Sequence, residues 1–113
     1  MDIRGAVTYV VRSDGSLEGR WVGKVDGKTD GRQGYELAVP QSGGAGSIAG
    51  RYHVDLLDPD GKPNYKGILE IVAEGPSFCL SWRPTTAQWP LKFDGVGLIA
   101  KSGELAAAYW LVD

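Results

Sequence analysis

The chain has little of the chemistry that most enzymes and metal sites require. It contains one cysteine, Cys79, and one histidine, His53, among 113 residues. A single thiol cannot close an internal disulfide, and it fits a reducing cytoplasm, which is the expected location. One His and one Cys cannot assemble a zinc site, and no metal or other cofactor is expected. No apolar run approaches the ~20 residues that a membrane-spanning helix needs. No charged-then-apolar leader follows Met1, so export through a cleaved signal is not expected. An excess of one charge is missing too. Twelve Lys and Arg against fourteen Asp and Glu leave a net charge of −2, with the cations scattered. Nucleic-acid binding needs a concentrated basic surface, and none is expected here.

What the chain has in excess is glycine. Its 17 glycines are about twice the usual share, and six prolines fall between the apolar runs. Asp14-Gly15, Asp26-Gly27, Asp30-Gly31, Asp60-Gly61, Glu74-Gly75-Pro76 and Ser102-Gly103 divide the chain into short segments rich in β-branched and aromatic residues. No segment has room for a helix of ordinary length. The divisions predict eight strands, at about 4–12, 16–25, 33–39, 48–57, 65–73, 77–83, 91–100 and 104–112. Strands joined by Gly-rich turns about every ten residues describe a single all-β domain over 1–113, an antiparallel up-and-down barrel. Gly15-Ser16-Leu17 with Trp21 is echoed by Gly103-Glu104-Leu105 with Tyr109, a recurrence of hairpin chemistry at two tight turns.

Alternation along the strands sorts the side chains by face. Leu17, Trp21 and Val25 share one side of the second strand; Tyr52, Val54 and Leu56 share one side of the fourth. Phe78, Leu80 and Trp82 do so on the sixth, Leu91, Phe93, Gly95, Gly97 and Ile99 on the seventh, and Leu105, Ala107, Tyr109 and Leu111 on the last. The fifth strand is apolar on both faces, which leaves room for a dimer partner over its outer side. Glycines within strands, at 19, 23, 50, 67, 95 and 97, fit sharp bends or places where a large ring crosses the backbone.

Gly19-Arg20-Trp21 resembles the Gly-x-Trp element of calycin barrels, the group that includes lipocalins, fatty-acid-binding proteins and avidins. The stretch from Tyr65-Lys66-Gly67 through Phe78 and Phe93-Asp94-Gly95-Val96-Gly97-Leu98 to Ala106-Ala107-Ala108-Tyr109-Trp110 is similar to small bacterial lipocalin-like domains. The resemblance implies an eight-stranded lipocalin-like barrel whose tryptophan plugs one end. It implies nothing about the ligand, because fold alone does not carry function.

The aromatic set Trp21, Tyr35, Tyr52, Trp82, Phe93 and Tyr109 is expected on the inner faces. These rings either fill the interior or line a cavity for one small guest. Trp89 stands in a long connection between Pro84 and Pro90, where it caps the barrel or flanks its mouth. The expected function is therefore non-catalytic binding of a small, largely apolar or aromatic molecule. Trp21, Tyr52, Trp82, Trp89, Phe93 and Tyr109 are the candidate ligand-binding residues, with Trp21 closing one end and Trp89 flanking the other. The alternative is an interaction module acting as a homodimer or docking a partner. A cyclase- or isomerase-type enzyme is the third class, and no catalytic residue is assigned.

Other groupings have simpler readings. Arg51, His53 and Asp55 share a strand face opposite Tyr52, Val54 and Leu56, so they belong in solvent if the apolar set points inward. Asp58-Pro59-Asp60-Gly61-Lys62-Pro63-Asn64 is a hairpin loop, since it lacks the spacing and terminal Glu of a calcium loop. Gly43-Gly44-Ala45-Gly46 has no Lys and opens no helix, so it reads as a connection instead of a phosphate cradle.

Overall fold

The computed structural model describes residues 1–41 and 47–112. Gly43-Gly44-Ala45-Gly46 lies outside the described residues. Eight strands follow in chain order: β1 (Ile3–Val11), β2 (Leu17–Val25), β3 (Gly34–Pro40), β4 (Gly50–Leu57), β5 (Pro63–Glu74), β6 (Ser77–Pro84), β7 (Lys92–Ile99) and β8 (Leu105–Val112). Each pairs antiparallel with its neighbour in sequence, and β1 pairs with β8 to close the barrel. The described residues contain no helix, and so none long and apolar enough to cross a membrane. Closure gives every strand a paired neighbour on both sides.

Three connections use one device. Gly15 N–H donates to the Arg12 carbonyl and Arg12 N–H to the Ser16 carbonyl, with Gly15 at φ 87°. Asp58 to Lys62 repeats this pattern around Gly61, and Ala100 to Glu104 repeats it around Gly103. Each is a three-residue hairpin whose last position is left-handed, the conformation glycine adopts without a Cβ penalty. The Asp58 carboxylate also accepts from the Asp60 and Lys62 amides, which makes that loop a hairpin.

The inner faces of β2, β4 and β6 match the alternation of the sequence, with Leu17, Tyr52, Val54, Leu80 and Trp82 buried. The fifth strand resolves in the same way: Tyr65, Leu69 and Ile71 point inward, while Val72 is exposed and Ile68 half-buried. Ile99 keeps its expected face, opposite buried Leu105, but β7 ends there and leaves it exposed. Tyr35 is a correction. It was expected among the interior rings, yet β3 turns Gly34, Glu36 and Ala38 inward and leaves Tyr35 exposed.

Large rings lie across glycines on neighbouring strands. Gly5 faces Gly23 on β2 and Tyr109 on β8. The Tyr109 ring runs over both glycines, and its hydroxyl donates to the Val22 carbonyl on β2 at 2.9 Å. A Cβ on Gly5 would meet the Val22 carbonyl oxygen at 2.1 Å and the Tyr109 hydroxyl at 2.5 Å. The Trp82 ring crosses Gly95, and the Trp21 ring crosses Gly34. Gly5→Ala should therefore destabilise the barrel by about 1–3 kcal/mol in urea denaturation, as overpacking does. An unchanged denaturation midpoint would contradict this account of the β8–β1–β2 seam.

A candidate ligand cavity

The lumen is divided by a plate of three side chains. Tyr9, Gly19 and Glu36 lie opposite one another on β1, β2 and β3. With no side chain at Gly19, the Tyr9 ring crosses β2 and its hydroxyl donates to Glu36 Oε2 at 2.6 Å. From the far wall, Trp82 Nε1 on β6 donates to the same oxygen at 3.3 Å. Tyr9, Glu36 and Trp82 are all buried, and Glu36 is only 5% exposed. On one side of the plate the interior is filled by Leu17, Ala38, Tyr52, Leu69, Ile71, Leu80 and Leu105.

On the other side the barrel is open. A cavity of about 320 Å³ lies there, with Glu36 and Trp82 at its base. Its walls include Val7, Trp21, Leu56, Tyr65, Phe93 and Tyr109, and Met1, Asn64 and Trp89 stand at the rim. The rings meet edge to face: Tyr65 with Phe93, Phe93 with Tyr109, and Tyr109 with Trp82, at centroid distances of 5.8–6.0 Å. Such contacts hold ring orientation as well as burying area. The Trp21 indole N–H donates to the Tyr35 carbonyl at 3.1 Å, which fixes that wall.

The connection carrying Trp89 is tied down at both ends. Thr85 N–H donates to the Lys66 carbonyl, and the Tyr65 hydroxyl donates to the Leu91 carbonyl at 2.8 Å. Trp89 itself borders the cavity and is 44% exposed, which places it at the boundary with solvent.

Five of the six candidate residues thus border one cavity: Trp21, Trp82, Trp89, Phe93 and Tyr109. Tyr52 does not. It lies in the filled half, where its hydroxyl donates to the Ile48 carbonyl at 2.7 Å. Trp21 does not close the end opposite Trp89, because both border the same cavity. Arg51, His53 and Asp55 are exposed on the outer face, where Asp55 pairs with Lys66 on β5. Cys79 is exposed as well. Among the described residues, no group of three or more His, Cys, Asp or Glu side chains is placed to hold a metal ion.

Glu36 is the residue that strand patterning passed over. Burial pushes its carboxyl up to about 7, against the opposing pull of the two hydrogen bonds from Tyr9 and Trp82. Burial also raises the Tyr9 hydroxyl well above its ordinary value, reinforced by the Glu36 charge. The same two causes push the Tyr109 hydroxyl up to about 12. Near neutral pH the phenols stay protonated, so Glu36 is the group in this neighbourhood that titrates.

Comparison with known protein families, with characterised proteins and with solved structures finds no match for this chain.

The raised carboxyl links proton binding to folding. Glu36 holds its proton up to about pH 7 in the folded state, against 4.5 as the ordinary value. The stabilisation from that proton is fully present below pH 4.5 and is lost as pH rises to 7, a change of about 3 kcal/mol. Glu36→Gln has no such proton to lose. Wild-type stability measured relative to this variant should fall by about that amount between pH 4 and pH 8. Parallel stability curves for the two proteins would show that Glu36 ionises as freely when folded as when unfolded.

Proposed function

We propose that the protein binds a small, largely apolar or aromatic molecule in the open half of its barrel and does not transform it. The supporting observation is a ring-lined cavity of about 320 Å³ with a buried carboxyl at its base. This volume is at the small end of the range for ligand sites, and the mixture of apolar walls with few polar groups matches them in kind. Binding would draw on burial of ligand surface, at about 25 cal/mol per Å², while Glu36 orients the guest. The closed eight-stranded meander also supports a calycin-type reading of the fold. The exposed thiol of Cys79 suits a reducing cytoplasm.

A second reading is homodimerisation, and it has support of its own. Val22, Ala6, Ala108, Val96 and Cys79 form one outward row across β2, β1, β8, β7 and β6. All five are exposed, giving a band of small, uncharged side chains around that side of the barrel. Light scattering on the eluting protein separates the readings. The binding reading expects a monomer whose melting temperature rises with ligand, while a dimer indifferent to ligand favours the second.

The probe N-phenyl-1-naphthylamine gives a direct test, because its fluorescence increases in apolar surroundings. Saturable binding at one site is expected. Trp89→Ala should weaken it by at least about fivefold, roughly 1 kcal/mol, with the unfolding transition still cooperative. Equal affinity of the two proteins would remove Trp89 from the site, and absence of binding would argue against the cavity as a ligand site.

A further inference from the structure

The base of the cavity carries negative charge alone. Glu36 is its one ionisable carboxyl, and no lysine, arginine or histidine side chain lines it. The titratable groups near Glu36 are the phenols of Tyr9 on β1, Tyr65 on β5 and Tyr109 on β8, each with its hydroxyl pushed up by burial. The other facing strands present Gly19 and Trp21, Leu56, Trp82, and Phe93. The Met1 α-ammonium stands at the rim and the Arg83 guanidinium acts on Tyr65, but no cation bears on Glu36 itself, so an ionised carboxylate at the base has none beside it. A buried charge without a counter-charge is costly, and a ligand that supplies one recovers that cost.

The carboxylate is also half-occupied. Both protein hydrogen bonds, from Tyr9 and Trp82, go to Oε2. Among the described residues Oε1 accepts none, and none of their sealed side-chain oxygens or nitrogens lacks a partner. An unpartnered Oε1 is therefore not sealed, and the open space that Glu36 borders inside the barrel is this cavity. Two neutral donors hold Oε2 and leave Oε1 available to the cavity that Trp21, Phe93 and Tyr109 line.

We propose that the ligand is an organic cation with an aromatic or apolar body, its protonated amine on Glu36 Oε1 and its body against Trp21, Phe93 and Tyr109. This deepens the binding reading above and rests on it. An ammonium brings both the missing positive charge and a charge-assisted hydrogen bond. The surrounding ring faces are themselves attractive to a cation. A neutral molecule of the same shape gains the ring contacts but no charge pairing. A carboxylate of that shape is repelled.

Matched indoles separate these terms. Tryptamine, indole-3-ethanol and indole-3-propionate share a ring and differ at the end of the side chain. Calorimetric titration of the wild-type protein near pH 8 should give tryptamine at least about tenfold tighter than indole-3-ethanol, with indole-3-propionate weakest. The amine keeps its proton between pH 6 and pH 8, whereas Glu36 ionises at about 7. The tryptamine advantage should thus shrink by about tenfold on going from pH 8 to pH 6. In Glu36→Gln the amine and the alcohol should bind alike. If that variant does not fold, the pH dependence of the wild-type ratio decides the question.

Equal affinity for the amine and the alcohol at pH 8, or a ratio that ignores pH, would overturn the cationic assignment and leave the cavity reading intact. Binding of N-phenyl-1-naphthylamine with no binding of any indole would do the same. If neither the indoles nor that probe binds, both readings fall.

Discussion

The hydrogen bonds that Tyr9 and Trp82 give to Glu36 are the constraint on which the interior depends. They draw together side chains from β1, β3 and β6 and so bridge the lumen from wall to wall. A carboxyl group 5% exposed would be strongly destabilising without such donors, and even with them burial leaves it at about 7. The plate decides where the barrel is solid and where it is hollow. Leucines, Ile71 and Tyr52 fill one half, while rings standing around open space form the other.

Glycine makes this arrangement possible. A ring on one strand reaches a partner two strands away only if the strand between offers no side chain. Gly19 does this for Tyr9, and Gly5 does it for Tyr109 on its way to the Val22 carbonyl. Strand propensity would disfavour these glycines, but each is offset by the aromatic contact and hydrogen bond it admits. The abundance of glycine and the edge-to-face rings are therefore one feature: small positions on one strand are the space that large side chains from another occupy.

Much of the architecture was legible in the turns. Asp-Gly and Ser-Gly pairs require left-handed backbone, and Gly15, Gly61 and Gly103 adopt it at three equivalent hairpins. Alternation then placed Trp82, Phe93 and Tyr109 correctly, because on those strands the bulky face is also the inner one. It failed on β3 for the converse reason. There the large apolar residues Tyr35, Leu37 and Val39 face outward, and the small or polar set Gly34, Glu36 and Ala38 faces in. Gly34 leaves space for the Trp21 ring and Glu36 meets Tyr9, so pairing with rings from elsewhere outweighs local hydrophobicity. The available sign was the small size of Gly34 and Ala38 on either side of Glu36. Reading it required the register of β1 with β2 and β3, which no single strand contains. Tyr52 was misplaced on the cavity for a similar reason, since alternation gives the face of a strand but not the depth along the barrel.

A carboxyl held by two neutral donors on one oxygen, with the other left available to an apolar chamber, is the centre of this account. Its most direct test is a pH titration of the glutamate side-chain carboxyl carbons by NMR, with Glu36 assigned by substitution. The account predicts a Glu36 midpoint at about 7. A midpoint at the ordinary glutamate value, near 4.5, would mean that water reaches the group freely and that the plate does not form.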